Sequence, residues 1–468
     1  MAMHDTAARP PRALRKALLP LALAQFICSF AGSNMNVMIK DISRDLGTTV
    51  PGVQLAITIF LLVMAALMIP GGKLTDRYGR KRCLTAGLVI YGVGTLVSVV
   101  APGLPVLILG NSILQGVGTA LLIPPVYILT TLLFTDIPAR ARAFGAISAM
   151  GGIGAAAGPL IGGLITSALS WRAAFAFQAL IIVVIIALSR RYVRDPLPAD
   201  PDRPFDTGGA VLSALGLLLV VTGILAVDDN GWLAAALAGC GVGVLALFVA
   251  WVRARERAGR EALLSTALLR SRTSNLGMVT QNVQWLMLMG TSFVIAAYLQ
   301  VVLGYSAIAT GLVTTAATAG LLLASLAAER LAKRRPQRTL IVAGFATTIG
   351  GIAALLLLAA AWSGVGALLP GLFLIGLGIG AMLTPSVNVV QSSFGEQLQG
   401  EISGLSRSVS NLGSSLGAAL ASTIILAAAT SSPGTAYAVA MVAVGAVGLV
   451  GLGAALLLPR PAAAPDTR

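Results

Sequence analysis

The polar side chains of this sequence that could bind a solute are amides, hydroxyls and one deep cation. The amides and hydroxyls recur within four apolar segments at spacings that put each group on one helix face, and the cation lies in a fifth segment. The predicted cavity residues are Gln25, Asn36, Asn111, Gln115, Gln281, Gln284, Trp285, Asn388, Gln391 and Arg407. Amides recognise a solute by neutral hydrogen bonds, whereas a guanidinium favours negative charge. The alternative for each residue is a hydrogen bond that holds neighbouring helices together.

Residue types that usually carry catalysis or bind metals are scarce. His4 is the only histidine and lies in the N-terminal tail. Cys28, Cys83 and Cys240 lie in or beside apolar segments, so no disulfide framework is implied. None of the 17 acids lies in the middle of an apolar run, and no G-x-x-x-x-G-K-[ST] phosphate loop occurs. We expect no metal, no cofactor and no enzymatic activity.

Apolar runs of membrane length position these side chains. The chain is 57% hydrophobic and only 10% charged, and a run of about 20 apolar residues crosses the hydrocarbon layer as a helix. The predicted spans are 18–39, 53–72, 83–101, 105–131, 143–168, 172–189, 208–227, 232–252, 275–300, 308–328, 339–361, 366–391, 403–429 and 436–459. The sequence therefore predicts an all-α polytopic membrane protein.

The cations are distributed unevenly about these spans. If the N-terminus is cytoplasmic, 28 of the 32 Lys and Arg residues fall inside, three fall outside, and Arg407 lies within a span. This bias predicts a cell-membrane protein with both termini in the cytoplasm. The net charge of +15 could suggest a nucleic-acid partner, but no basic domain stands apart from the apolar runs. The first run lacks a cleavage site, which favours an uncleaved span over a signal peptide.

The chain also resembles itself. "DRYGRKR" (76–82) aligns with "ERLAKRR" (329–335), and "QGVGTALLIPP" (115–125) aligns with "GLGIGAMLTP" (376–385). In each half's fifth helix, Gly145, Gly154 and Gly158 align with Gly404, Gly413 and Gly417. Duplicated six-helix halves are typical of transporters with a central site. We predict a tail at 1–17, a first half at 18–190, linkers and two extra helices at 191–274, a second half at 275–459, and a tail at 460–468.

A charged stretch, "GGKLTDRYGRKR" (71–82), interrupts this apolar pattern after the second span. Gly79 permits a tight turn there, and the cations anchor the loop among lipid headgroups. Asp76 is the residue that composition does not explain. Its simplest interpretation is a solvated acid near a helix end.

Three stretches of the sequence resemble the major facilitator superfamily. The charged loop is similar to that family's G-x-x-x-D-R-x-G-R-[RK] motif, and "SWRAAFAFQ" (170–178) to its W-R-x-x-F signature. "GGIGAAAGPLIGG" (151–163) resembles the antiporter motif of its exporters. The matching loop residues are Gly72, Asp76, Arg77, Gly79, Arg80 and Lys81. The matching antiporter-motif residues are Gly151, Gly154, Gly158, Pro159, Gly162 and Gly163.

Two extra helices between the halves resemble the family's fourteen-helix drug:H+ antiporter branch. The resemblance implies that Asp76 belongs to a conformational latch, with Arg77, Arg80 and Arg142 as candidate partners. It also implies that the fifth-helix motif bends at Pro159 and seals the protein against leakage, although close packing alone would explain its glycines. The implied function is a secondary active transporter that exports amphipathic small molecules by alternating access.

The sequence departs from this branch where charge is usual. Ala31 stands at the position of the first-helix Asp, and Asn111 at that of the fourth-helix Arg. We therefore expect a neutral, zwitterionic or anionic substrate. Proton coupling is left open, because Asp76, Glu396 and Glu401 lie only at the membrane edge.

Other functions are also compatible with parts of the sequence. The first alternative is a lipid or metabolite transporter of the same fold with weak or no proton coupling. A membrane-embedded enzyme would need paired carboxylates or clusters of His or Cys near the membrane, and the sequence has none. The intact loop and antiporter motifs argue against a non-transporting sensor. The expected partners are a small-molecule or lipid-like substrate and the lipid bilayer, with the chain itself a monomer.

Overall fold

In the computed structural model the chain folds into a bundle of long helices. The structure describes residues 12–134, 137–195, 204–226, 230–332, 335–362, 364–394, 399–427 and 433–459. The spanning helices are α1 Arg12–Val37, α2 Val50–Tyr78, α3 Arg80–Val99, α4 Leu104–Leu133, α5 Ile137–Ala168, α6 Trp171–Tyr192, α7 Thr207–Leu225, α8 Gly231–Arg257, α9 Arg272–Val302, α10 Ala307–Ala332, α11 Gln337–Ala361, α12 Val365–Gln391, α13 Gln399–Ala427 and α14 Pro433–Leu457. The predicted all-α fold with fourteen spans is confirmed.

Two spanning helices contain a segment of wider π-helical turns that the sequence did not predict. Residues Ile108–Leu114 form such a segment near the start of α4, and Tyr298–Val302 form one at the end of α9. Odd-numbered and even-numbered spans run in opposite directions, so both segments lie at the same face of the bundle, opposite the 71–82 loop. Single π turns are common at functional sites, and Asn111 lies within the first of these segments.

The helices pack as two similar halves. In the first half, α1 packs against α5 and α6, and α3 packs against α4. The second half repeats this arrangement, with α9 against α13 and α14, and α11 against α12. The halves meet along two seams, one between α2 and α13 and one between α5 and α10.

The internal repeat in the sequence corresponds to a repeated helix contact. In each half, two glycines of the fifth helix approach carbonyl groups of the first helix so closely that a Cβ would overlap them. The pairs are Gly154 with Phe26 and Gly158 with Phe30 in the first half, and Gly413 with Asn282 and Gly417 with Leu286 in the second. In both halves the contacting residues are spaced four apart on each helix, so the two backbones approach each other in the same register.

The extra pair, α7 and α8, is held at one end by a buried carboxylate. Asp206 precedes α7, is only 4% exposed, and accepts a hydrogen bond from the backbone N–H of Gly209 at 2.9 Å. It also accepts from Trp251 Nε1 in α8 and from the backbone N–H of Leu263, both at 3.0 Å. Arg255 lies 3.6 Å from the same carboxylate. Because α7 also packs against α2 and α13, Asp206 fixes the linker after α8 beside one of the two seams.

Candidate transport pathway

A chain of polar contacts crosses from one half to the other inside the bundle. The guanidinium of Arg407 in α13 donates a hydrogen bond to the hydroxyl of Tyr127 in α4. The guanidinium carbon also lies 4.9 Å from the centre of the Tyr127 ring, a cation–π arrangement. The Tyr127 hydroxyl donates to Gln25 Oε1 at 3.2 Å, and Gln25 Nε2 donates to Ser29 Oγ at 3.1 Å. The structure therefore brings the predicted cavity residues Gln25 and Arg407 together through Tyr127.

Tyr127 was not predicted as a site residue. It follows the fourth-helix polar face by two helical turns, and nothing in its sequence spacing distinguishes it from an aromatic residue of the core. Only the approach of α13 to α4 gives its hydroxyl a cation to bind, and such a contact depends on the packing of both halves.

The other polar residues of the first half lie deeper. Gln115 is fully buried, and neither its amide nitrogen nor its amide oxygen has a hydrogen-bond partner among the described residues. Asn111 is 2% exposed, and its Nδ2 likewise has no partner within the described part of the chain. Thr119, one turn from Gln115, accepts a weak bond from Cys28 Sγ at 3.9 Å. These two amides retain unused hydrogen-bonding capacity, which is costly unless a water or a solute satisfies it.

The polar residues of α9 mainly hold the second half together. Gln281 Oε1 accepts from the Ser406 hydroxyl of α13 at 2.8 Å, and Gln284 Oε1 accepts from the Ser386 hydroxyl of α12 at 2.7 Å. Both glutamines are 1% exposed. These two oxygens therefore fit the alternative interpretation, in which a polar side chain holds neighbouring helices together. Three further predicted cavity residues are more open: Trp285 and Gln391 are half-buried, and Asn388 is exposed.

The loop at 71–82 connects α2 to α3 through one glycine. Gly79 has φ 94°, in the left-handed region that favours glycine, and it both ends α2 and precedes α3. Asp195, after α6, accepts from the backbone N–H groups of Arg80 at 2.7 Å and Lys81 at 3.2 Å. This carboxylate caps the start of α3. The loop is thus fixed within the first half by contacts that leave Gly79 in its unusual conformation.

The same loop region also contacts the second half. Lys73 Nζ lies 2.9 Å from Glu401 Oε1 in α13, and the two side chains are 17% and 23% exposed. Glu401 Oε2 accepts from the backbone N–H of Ser265 in the linker after α8 at 2.9 Å. The side chains of Asp76 and Arg142 lie outside the described part of the structure, so the partners expected for Asp76 stay a prediction. The guanidinium carbon of Arg77 lies 5.6 Å from the centre of the neighbouring Tyr78 ring.

The fifth-helix motif presents two different faces. Gly154, Gly158 and Gly162 lie against α1 of the same half, where a Cβ on Gly162 would overlap the side chain of Asn34. Gly163 and Pro159 lie on the seam with α10. A Cβ on Gly163 would overlap the Ala307 carbonyl, and one on Gly311 would overlap that of Pro159. The helix continues through Pro159 as a single element from Ile137 to Ala168.

The opposite membrane face carries its own contacts between the halves. Gln300, in the π-helical end of α9, donates to the Asn36 carbonyl of α1 at 2.8 Å and accepts from the Lys40 backbone N–H at 3.1 Å. Ser167 Oγ in α5 accepts from the backbone N–H of Ile308 in α10 at 3.1 Å. Asn36 therefore contributes its backbone carbonyl to this face, and its side chain is buried. The two halves are joined at both faces.

The W-R signature fastens one loop at this face. Trp171 Nε1 donates to Asp45 at 3.0 Å, and Arg172 forms an ion pair with the same carboxylate. Arg172 also donates to the Ala101 carbonyl at 2.9 Å. The Arg172 guanidinium lowers the pKa of Asp45 below its ordinary value of 3.8. Trp171 and Arg172 thus join the start of α6 to the short helix Ile39–Asp45 after α1 and to the turn after α3.

Two repeated helical bundles, joined at both membrane faces around an interior polar cluster, define a membrane transport protein. The family model of the Major Facilitator Superfamily matches residues 21–418, and matches again over 283–467. The chain belongs to the major facilitator superfamily.

Several named relatives match most of the chain. It is 31% identical to the puromycin resistance protein pur8 of Streptomyces alboniger, over 87% of this chain and 81% of the relative. It is 30% identical to the multidrug efflux pump LfrA of Mycolicibacterium smegmatis, over 90% and 82%. It is 29% identical to the cephamycin export protein CmcT of Amycolatopsis lactamdurans, over 89% and 86%.

A solved structure shows the same fold at lower sequence similarity. The peptide transporter POT in complex with sulfate matches with a TM-score of 0.68 and 17% identity, over 95% of each chain. This likeness concerns the fold alone.

Proposed function

We propose that this protein is a secondary active transporter that exports amphipathic small molecules by alternating access between its two halves. The relatives named for efflux, export and drug resistance support the direction of transport. The observation that favours a pathway between the halves is the Arg407–Tyr127 contact, since it joins α13 to α4 beside the polar face of α1. A solute bound there would touch both moving parts.

The substrate is neutral, zwitterionic or anionic. A desolvated organic cation is stabilised by a carboxylate or an aromatic cage, and none of the 17 acids lies in the middle of a span. The pathway instead offers amide and hydroxyl groups, with Arg407 as its cation. This chemistry suits a molecule that accepts hydrogen bonds or carries negative charge.

The loop at 71–82 acts as the conformational latch, and the seam between α5 and α10 acts as a seal. Rocking of the halves requires that the contacts at one membrane face break while those at the other persist. The latch residues are Asp76, Arg77, Arg80 and Lys81. The Lys73–Glu401 ion pair adds a contact between the halves at the same face. Pro159 and Gly163 keep theirs in the seal.

The uneven distribution of cations supports a cell-membrane location with both termini cytoplasmic. The functional division follows the sequence, with halves at 18–190 and 275–459 and an extra helical pair between them.

The protein acts as a monomeric transporter rather than as an enzyme. Protons, if they are the coupling ion, would be carried at the membrane edge rather than within the span region.

A lipid or metabolite transporter with weak or no proton coupling is the second candidate. The observation that favours it is that none of the 17 acids lies in the middle of a span. Coupled antiport needs a group that binds a proton in one state and releases it in the other, and such groups usually lie within the membrane.

Accumulation of probe compounds in cells that lack other efflux pumps tests the proposal. Cells that express the wild-type chain should retain less of uncharged and anionic amphipaths than cells with an empty vector, and should retain ethidium unchanged. The matched control is Gly79→Val, in which we expect no export. Strong ethidium export that is lost on substitution of one buried residue would contradict the proposed substrate class.

A further inference from the structure

Among the residues that the structure describes, no carboxylate pairs with Arg407. The described ion pairs join Lys73 to Glu401, Arg44 to Asp41, Arg172 to Asp45 and Arg255 to Asp206, and all of them lie at the membrane faces. The Arg407 guanidinium donates its hydrogen bond to the neutral hydroxyl of Tyr127 and lies over the ring of the same residue. A cation in a low-dielectric interior is stabilised strongly by a counter-charge. The site is therefore electrostatically incomplete without one.

The surroundings of Arg407 leave room for a bound group. Gly404 lies one turn before Arg407 on α13, and Gly32 lies one turn after Ser29 on α1. A Cβ added at either glycine would meet no atom within 4 Å. Arg407 itself is only half-buried. Open space thus lies on both sides of the contact chain from Arg407 to Ser29.

We propose that Arg407, Tyr127 and Gln25 form a subsite that binds a carboxylate of the transported molecule. The guanidinium presents a planar fork of N–H donors whose geometry matches the two oxygens of a carboxylate. The Tyr127 hydroxyl, which accepts from Arg407 when the subsite is empty, turns to donate to the bound carboxylate. Gln25 adjoins Tyr127 and supplies an amide donor to the same space. This inference rests on the proposed function and specifies one end of its substrate.

Occupation of the subsite also changes the contact between the halves. The direct bond from α13 to α4 is replaced by a carboxylate that bridges Arg407 and Tyr127. Since a ligand shifts a conformational equilibrium only through different contacts in the two states, this exchange gives an anionic substrate a means of biasing the rocking motion. A neutral analogue leaves the Arg407–Tyr127 bond in place and lacks that effect.

Equilibrium dialysis on the purified full-length protein in detergent tests the subsite. The probes are two matched pairs, phenylbutyrate with phenylbutyramide and naphthylacetate with naphthylacetamide, which differ in charge but little in shape. We expect at least one carboxylate to bind about tenfold more tightly than its amide, as charge-assisted hydrogen bonds imply. Arg407→Gln should abolish this preference and leave the affinity for the amide unchanged.

Three further variants complete the experiment. Arg44→Gln is the matched control, because the Arg44 side chain is 80% exposed at a membrane face, and it should keep the full preference. Tyr127→Phe should weaken the preference without abolishing it, since one donor to the carboxylate is lost while the charge of Arg407 remains. If Arg407→Gln does not yield monodisperse protein, Arg407→Lys carries the test, and the loss of the planar fork should reduce the preference severalfold.

Equal affinity of the wild type for both members of each pair overturns the subsite. An undiminished preference for the carboxylate in Arg407→Gln also overturns it, and Arg407→Lys decides where Arg407→Gln does not fold. These outcomes are separate from the failure of the proposed function. Export of neutral probes without any carboxylate preference overturns the subsite alone. A wild-type chain that binds carboxylates in this way but exports no probe from cells overturns the proposed function alone.

Discussion

Lys73 in α2 and Glu401 in α13 form an ion pair of 2.9 Å that joins the two halves at the face of the 71–82 loop. Glu401 also accepts a hydrogen bond from the backbone of Ser265, so the linker after α8 contacts the same carboxylate. The extra helical pair and the closing contact between the halves are therefore connected through one side chain.

Removal of this ion pair should favour opening of the bundle at that face. The two side chains are mostly buried, so Lys73→Gln should cost the closed state about 1–2 kcal/mol, between the values for exposed and buried pairs. Spin labels at Tyr78 and Arg335, one in each half, should report a larger population of long distances. Glu401→Gln should have the same effect, and the double variant should add little to either.

The matched control for this experiment is the exposed pair of Arg44 and Asp41, 3.8 Å apart at the other face. Arg44→Gln should leave the distances between Tyr78 and Arg335 unchanged. Equal distance distributions for wild type and Lys73→Gln would show that the ion pair does not hold this face closed.

Substitution of Gly79 tests the latch. The φ of 94° at this position is unfavourable for a β-branched residue by about 1–3 kcal/mol, so Gly79→Val should distort the turn between α2 and α3. We expect export to be lost while the amount of protein in the membrane is retained, and the same outcome for Asp76→Asn. Gly350→Val is the control, because Gly350 lies in α11 with no atom within 4 Å of an added Cβ. Normal export by Gly79→Val and Asp76→Asn would reduce the loop to a membrane anchor.

The close approach of Gly163 to α10 should tolerate no added side chain. A Cβ at Gly163 overlaps the Ala307 carbonyl, so Gly163→Ala must separate two backbones, at a cost of about 1–3 kcal/mol. We expect slower export together with leakage of a small dye from proteoliposomes. Gly152→Ala on the same helix is the control, since its Cβ would lie 4.0 Å from the nearest atom, Leu321 Cδ2. Equal export and leakage in the two variants would remove the sealing role of Gly163.

The helical scaffold could be predicted directly from the amino-acid sequence. Apolar runs mark the fourteen spans because the bilayer requires each of them. The glycine repeat indicates a face where another helix packs closely, and the structure shows that this helix is the first of each half. The two π-helical segments were missed, since no local residue pattern distinguishes a wider turn from an ordinary one. Asn111 was predicted to lie in a regular helix, whereas it lies in the first of these segments.

The site was predicted in part. Gln25 and Arg407 could be named because polar residues within apolar spans are conspicuous, but their connection through Tyr127 depends on the packing of three helices. Gln281 and Gln284 show the limit of the same reasoning. Their spacing is compatible with a cavity face, yet their oxygens bind serines of neighbouring helices. The sequence suggests only a proton-carrying role for Glu401, because its contact with Lys73 arises from the tertiary fold.

The Asp45–Arg172 pair predicts how stability varies with pH. The pKa of Asp45 is lowered in the folded protein from 3.8, so the pair stabilises the fold above that pH and ceases to do so as the pH falls through the lowered pKa. The melting temperature of Asp45→Asn in detergent should lie below that of wild type near neutral pH, and the two should converge in acid. Asp41→Asn, at an exposed pair, should differ little from wild type throughout. A difference for Asp45→Asn that persists in strong acid would contradict this assignment.

The central claim is that the pathway between the halves transports amphipathic solutes without an acid inside the membrane, and proton flux tests it most directly. Purified protein in liposomes would be loaded with an exported substrate, and substrate and proton movements would be recorded together after an imposed pH step. We predict substrate flux that depends less steeply on the gradient than the flux of relatives that keep an Asp in the first helix. A stoichiometric proton movement, with flux that collapses when the gradient is removed, would contradict the claim and identify a carboxylate at the membrane edge as the carrier.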